Sequence, residues 1–194
     1  CTDRGFDACV MAQQVLGGHG YVAEWGLEQN VRDARIAQIY EGANGIQALD
    51  LMGRKTVRAN GQLLALISEE MDAFVAEQSD TSEMQSYLSG LAQCRQALQQ
   101  ATEFVIERAA ANPEEIGAAS YAYMELMGLT LYCFMWQRIL ASALKATDRD
   151  SDYTQGLIKV GEFFLARQVP KAQSLLLEIE AGSESLMAMT AEQF

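Results

Sequence analysis

Apolar side chains recur every three or four residues along most of this 194-residue chain, which is the spacing of amphipathic α-helices. The clearest case is a repeat of seven in the middle of the chain, made by Met84, Leu91, Leu98 and Val105. Such a repeat is typical of the seam between packed helices. The chain has no alternating stretch long enough for a β-strand and no internal repeat. The pattern therefore predicts an all-α protein.

Polar breaks divide the second half into four long helices. Turns are predicted at residues 79–82, at Asn112-Pro113 and at residues 148–152, with Asn112 as an N-cap and Pro113 at the first helical position. Pro170 should kink or restart the last helix, and Gly182 should end it. The predicted architecture is an up-and-down bundle. The side chains expected to face its interior include Leu64, Ile67, Met71, Phe74, Leu157, Val160, Phe164 and Leu165.

Shorter helices are predicted before the bundle. Residues 6–16 form one helix that ends at Gly17-Gly18, and residues 28–36 form another after a loop at residues 18–27. A further helix should run from Gly42 to about Lys55. Its expected buried stripe consists of Ile46, Leu49 and Met52. Because short helices precede residue 56 and long helices follow it, the chain is predicted to have two domains, residues 1–55 and residues 56–194.

The acidic charge is concentrated in the second of these domains. The net charge is −12; residues 1–55 carry 5 basic and 7 acidic side chains (−2), and the remainder carries 9 and 19 (−10). A surface this acidic disfavours nucleic acid and anionic membranes as partners. No run of 18 residues is apolar without interruption, so no membrane span is expected.

Cysteine and histidine are too sparse for the common metal sites. The four cysteines are scattered without a C-x-x-C pair, which argues against a disulfide framework or a zinc site. Reduced thiols suggest a cytoplasmic location. His19 is the only histidine, which excludes the paired Glu-x-x-His ligands of a di-iron bundle. The chain begins at Cys1 without an initiator Met or a signal peptide, and we interpret it as part of a longer polypeptide.

Residues 13–47 hold most of the candidate chemistry. Glu41 follows Ile39 and Tyr40 and precedes a glycine, so a sharp turn could aim its carboxylate into an apolar cavity, where desolvation would make it a stronger base. The simpler alternative is a first-turn glutamate that stabilises the helix dipole. Residues 18–23 match the dinucleotide pattern G-x-G-x-x-A, but they follow a helix rather than a strand, and we reject a Rossmann site.

An ordered set of motifs changes the balance between these alternatives. It consists of Gln14-x-x-Gly17-Gly18-x-Gly20-Tyr21, then Arg32-Asp33-Ala34, then Ile39-Tyr40-Glu41-Gly42, then Ile46-Gln47. In order and spacing this set resembles the C-terminal signature of the acyl-CoA dehydrogenases. The later helices are similar to the extra helical domain of the large bacterial type. The resemblance implies that residues 1–55 end the C-terminal helical domain of that family and that residues 56–194 form the extra bundle.

The resemblance also implies a reaction. Glu41 would remove the α-proton of an acyl-CoA thioester while the β-hydride passes to flavin N5. The backbone N–H of Glu41 would hold the thioester carbonyl, and Gly42 would allow the turn beside the substrate. Gln14, Gly17 and Gly18 match the loop that contacts FAD held by a neighbouring subunit. The family further implies fatty acid β-oxidation, electron-transfer flavoprotein as the electron acceptor, and a homo-oligomer. Arg32 and Asp33 are expected to fix the local fold.

The turn departs from the family pattern at two positions that are expected to contact FAD. Ala43 stands where the family commonly has Thr or Ser, and Gly45 stands where it often has a polar side chain, so Asn44 is the candidate substitute. The family's N-terminal helices and β-domain are not in this chain. We therefore expect these 194 residues alone to bind FAD weakly or not at all and to be inactive. An acyl-CoA oxidase and a non-enzymatic helical interaction module remain the alternative functions.

Overall fold

Helices account for the architecture of the computed structural model, which describes residues 1–193 and has no strand among them. The predicted all-α fold is confirmed. The contacts within the chain form two units, one comprising Cys1–Gln47 and the other beginning at Ala48.

The first unit is built on two packed helices joined by short turns. Its elements are α1 (Thr2–Val15), α2 (Gly18–Tyr21), a 3-10 turn (Ala23–Trp25) and α3 (Leu27–Ile36), followed by the start of α4 (Asn44–Leu49). The helices predicted at residues 6–16 and 28–36 are confirmed, although α1 begins four residues earlier than expected. The predicted loop at residues 18–27 is wrong, because α2 and the 3-10 turn occupy most of it.

The helix predicted from Gly42 to Lys55 is wrong in its start and in its regularity. It begins at Asn44, and after Leu49 it continues as a π-helix over Asp50–Val57, where the N–H of Arg58 reaches back to the carbonyl of Gly53 at 3.1 Å. The buried positions are Ala48, Met52 and Thr56, four residues apart, which suits the wider π turn. Ile46 and Leu49, expected in the buried stripe, are 62% and 45% exposed.

The second unit is organised around α7, its longest helix. The elements after the π-helix are α5 (Gln62–Gln78), a 3-10 turn (Ser82–Met84), α6 (Gln85–Ala111), α7 (Glu114–Leu144), α8 (Asp152–Arg167), α9 (Lys171–Glu180) and a last 3-10 turn (Ala191–Gln193). Helix α7 contacts α6, α8, α9 and the π-helix. The four side chains of the predicted repeat of seven are all buried in the core. Their burial confirms the repeat: Leu91, Leu98 and Val105 lie on the inner face of α6, and Met84 ends the 3-10 turn before it.

The boundaries of these helices follow the polar breaks in the sequence. The side chain of Asn112 accepts a hydrogen bond from the N–H of Glu114 at 3.1 Å, but Pro113 rather than Asn112 is the N-cap residue, and α7 begins at Glu114, one residue later than predicted. Pro170 separates α8 from α9, and Gly182 ends α9 with a φ of +69°. Val160, expected to face the core, is 51% exposed, and Ile158 and Gly161 are buried in its place. Within residues 1–193 no helix combines the length and hydrophobicity needed to cross a membrane.

Candidate functional site

The turn between α3 and α4 has an unusual backbone. Glu41 has a φ of +52° and Gly42 a φ of +89°, so two consecutive residues are left-handed. Glycine adopts this conformation freely, but for a residue with a Cβ it costs roughly 1–2 kcal/mol. Strain of this kind persists only where the surroundings hold it, and it is found preferentially at functional sites.

Helix α1 supplies part of what holds this turn. Thr2 donates from its hydroxyl to the Oδ1 of Asn44 at 3.0 Å, and Gln38 donates from its amide to the Oδ1 of Asp3 at 2.5 Å. The turn is closed by the N–H of Asn44, which donates to the carbonyl of Gln38 at 3.2 Å. The residues on both sides of Glu41 are therefore tied to the first turn of α1.

No other part of the first unit covers Glu41. Its side chain is exposed, and its neighbours Ile36, Ile39 and Tyr40 are about half exposed, at 52%, 50% and 52%. The apolar residues that the sequence places around the carboxylate therefore leave it open to solvent within this unit. Among the described hydrogen bonds, the backbone N–H groups of Glu41 and Gly42 have no acceptor. A carboxylate and an unpaired N–H of the same residue are thus both available to a bound molecule.

The corner after α1 is a second exposed feature of the same unit. Gln14, Gly17 and Gly18 are exposed, and a Cβ added at either glycine would meet nothing within 4 Å. Gly17 has a φ of +56° and a ψ of −137°, a combination that favours glycine. This open backbone is what close approach of a phosphate or another extended group requires.

Gly20 has a structural role that its spacing in the motif does not reveal. It is buried, and a Cβ at this position would lie 2.2 Å from the carbonyl oxygen of Gln13. Close packing of α2 against the end of α1 therefore requires glycine here. His19, next to it, is exposed and stacks edge-on against Trp25, with ring centroids 5.3 Å apart.

The positions after Gly42 offer few side-chain contacts. Ala43 is half-buried and carries no polar group, and Gly45 is exposed with open space around it. The Nδ2 of Asn44 is a buried donor without a partner among the described residues. Asp33, further back on α3, accepts a hydrogen bond from Gln29 at 2.7 Å, while Arg32 is exposed. A cofactor placed beside this turn could use backbone atoms and the Asn44 amide, whereas Ala43 supplies no side-chain hydrogen bond.

Comparison with known proteins covers nearly the whole chain. Residues 67–190 match the family described as "Acetyl-CoA dehydrogenase C-terminal like", and residues 1–55 match "Acyl-CoA dehydrogenase, C-terminal domain". The chain belongs to the acyl-CoA dehydrogenase family. The match to the second description includes the left-handed turn at Glu41.

Relatives in this family extend the comparison over both units. A 3-methylmercaptopropionyl-CoA dehydrogenase of Ruegeria pomeroyi is 31% identical over 184 residues, which are 93% of this chain and 30% of that protein. A broad-specificity linear acyl-CoA dehydrogenase of Mycobacterium tuberculosis is 27% identical over 204 residues, covering 100% of this chain and 33% of its own length. A mitochondrial short-chain specific acyl-CoA dehydrogenase of Bos taurus is 55% identical over 42 residues, 22% of this chain and 10% of that protein. The chain thus spans about a third of the length of the first two relatives.

The second unit of this family member has grooves but none of the predicted site residues. A groove of about 610 Å³ between α5 and α6 is lined by the apolar Leu64 and Ile106 and rimmed by Glu69, Glu103 and Glu107. No group of three or more potential metal ligands occurs among the described residues. The predicted site residues therefore all lie in the first unit.

Proposed function

We propose that this chain supplies the catalytic base of an FAD-dependent acyl-CoA dehydrogenase. The reaction is the α,β-dehydrogenation of an acyl-CoA thioester. The α C–H bond breaks and its proton passes to the carboxylate of Glu41, the β-hydrogen leaves as hydride, and a carbon–carbon double bond forms. The observation that supports this proposal most directly is the strained conformation of Glu41, whose φ is +52°.

Two groups of the same residue act on the substrate. The carboxylate of Glu41 accepts the proton, and its unpaired backbone N–H donates to the thioester carbonyl as negative charge grows on that oxygen. Gly42 brings the backbone close to the substrate. Because the carboxylate is exposed in this unit, the apolar walls that desolvate it must come from other parts of the protein.

The cofactor would meet this chain at two places. Gln14, Gly17 and Gly18 would contact FAD through the open corner after α1, and Ala43 and Gly45 would contact it through backbone atoms. When bound, FAD supplies the acceptor for the hydride. The 194 residues alone are expected to bind FAD weakly or not at all and to show no turnover. Flavin absorbance that copurifies with this chain alone would contradict that expectation.

From the family membership we further propose that the full-length protein is a cytoplasmic homo-oligomer. It would act in fatty acid β-oxidation and pass electrons to electron-transfer flavoprotein. Oxygen-dependent formation of hydrogen peroxide at the rate of substrate oxidation would instead identify an acyl-CoA oxidase.

The test is the variant Glu41→Gln in the full-length protein that contains this chain. Turnover is measured with straight-chain thioesters from butyryl-CoA to palmitoyl-CoA and an artificial electron acceptor. The base role requires turnover to collapse by a factor of about 10³ or more, while flavin content and the melting temperature stay at wild-type values. Glu24→Gln, at an exposed glutamate of the same unit, is the matched control and should be fully active. Wild-type turnover in Glu41→Gln would leave the helical interaction module as the better description.

A further inference from the structure

Gln47 makes a direct hydrogen bond to the residue that carries the proposed chemistry. Its side-chain amide Nε2 donates to the backbone carbonyl of Glu41 at 3.3 Å, across six positions of the chain. Both residues belong to the first unit. The bond spans the left-handed pair and joins it to the first turns of α4.

The fit between Gln47 and Gly42 is equally close. A Cβ added at Gly42 would lie 2.7 Å from the Nε2 of Gln47. This distance is too short for a methyl group beside the amide, so the missing side chain at Gly42 makes room for the Gln47 amide. Glycine is therefore needed here for two reasons, the φ of +89° and the passage of this side chain.

We propose that Gln47 is a positioning residue for Glu41. This inference rests on the proposed function, because positioning matters only if Glu41 reacts. A left-handed glutamate tends to relax towards ordinary φ values, and relaxation would turn both its carboxylate and its N–H away from a fixed substrate. By holding the carbonyl of Glu41, Gln47 opposes that rotation. Displacement of a catalytic group by about 1 Å can cost as much as a hundredfold in rate.

This role is separable from folding of the first unit because the bond lies on the surface of that unit. Gln47 and Glu41 are both exposed there, so loss of the bond leaves no polar group buried without a partner within the unit. A change at Gln47 should therefore alter turnover much more than stability.

The test compares Gln47→Met with Gln29→Met in the full-length flavoprotein. Methionine has nearly the length of glutamine and lacks the amide donor. Gln29 is the matched control, because it is an exposed glutamine of the same unit whose amide bonds Asp33 rather than the turn. We expect Gln47→Met to lower kcat by about ten- to a hundredfold with KM changed less than about threefold, at wild-type flavin content and melting temperature. Gln29→Met should match the wild type in all four.

A second variant tests the hydrogen bond itself. Gln47→Glu keeps the side-chain length, but its carboxyl can donate only when protonated. Its kcat relative to wild type should therefore rise as the pH is lowered towards about 4, the usual pKa of a glutamate, whereas the ratio for Gln47→Met should stay flat. Amide hydrogen exchange of the peptide containing residues 40–44 should be faster in both variants.

The outcomes separate this inference from the proposed function. Wild-type kcat in Gln47→Met, alongside an inactive Glu41→Gln, overturns the positioning role and leaves the base role intact. Equal losses in Gln47→Met and Gln29→Met, or a loss that follows a lower melting temperature, also overturn it. Full activity in Glu41→Gln overturns both proposals.

Discussion

Glu41 and Asn60 share a positive φ, +52° and +48°, and each is followed by a glycine whose φ is also positive. Asparagine tolerates this conformation because its short side chain can bond locally, whereas glutamate has no such advantage. A positive φ is thus adopted by asparagine, which tolerates it, at position 60, and by glutamate, which does not, at position 41. Glu41 therefore carries a cost in stability, as expected if it has the proposed function.

A substitution at each of the two positions tests this interpretation. Glu41→Asn should raise the free energy of unfolding by about 0.5–1 kcal/mol, because the new residue suits the turn, and should abolish turnover. Asn60→Gln, which places a longer side chain in the same conformation, should lower stability by a similar amount. Urea denaturation measures both. A loss of stability in Glu41→Asn would contradict the account of strain.

Two glycines of α8 should respond oppositely to alanine. A Cβ at Gly161 would lie 2.8 Å from a methyl carbon of Leu140, which is fully buried and has little room to move. Overpacking of this kind costs about 1–3 kcal/mol, partly offset by the better helix propensity of alanine, so Gly161→Ala should be destabilising by about 1 kcal/mol. Gly156, with nothing within 4 Å, is the control, and Gly156→Ala should be stabilising by about 0.5–1 kcal/mol. Thermal or urea unfolding distinguishes the two signs.

Tyr123 should make stability depend on pH above neutrality. Its hydroxyl lies 2.8 Å from that of Thr102 in the core, and burial raises the pKa of Tyr123 above its usual value. Since the protonated form is favoured in the folded state, its contribution is complete below about pH 10 and is lost as the pH rises through the raised pKa. Tyr123→Phe should lower the free energy of unfolding by about 1 kcal/mol at neutral pH. It should also reduce the further decrease in that free energy at high pH.

Tyr153→Phe is the control for this substitution, because Tyr153 is 75% exposed. Its free energy of unfolding should equal that of the wild type at neutral pH. If Tyr123→Phe loses as much stability at high pH as the wild type does, a group other than Tyr123 causes that loss.

Ser183 should hold the segment that follows α9. Its hydroxyl donates to the carboxylate of Glu115 at 3.0 Å, and Glu115 is only 3% exposed. Arg108 is a second donor to that carboxylate at 3.4 Å. Ser183→Ala leaves the buried carboxylate with one donor fewer and should cost about 1–3 kcal/mol, with faster proteolysis beyond Gly182. Ser185→Ala, two residues further on and exposed, should change neither.

Most helices of the second unit could be predicted from the sequence. Helix periodicity, an Asn-Pro start and a terminal glycine are local signals, and they predicted the buried repeat of seven, the start of α7 to within one residue and the end of α9. Periodicity failed at Ile46 and Leu49, because the buried positions of this segment are Ala48, Met52 and Thr56, four residues apart, whereas the predicted stripe advances in steps of three. It failed again at Val160, because the face of α8 that meets the core is that of the neighbouring Gly161, against which Leu140 packs.

The sequence by itself determined where the candidate chemistry lies, because an ordered set of glycines, charges and a single glutamate is a property of the chain. Only the tertiary structure decided the conformation of that glutamate. The sign of φ at Glu41 depends on contacts such as that between Thr2 and Asn44, which are 42 positions apart, and on the amide of Gln47 reaching back over Gly42. No local propensity encodes those contacts, since glutamate on its own favours the opposite conformation.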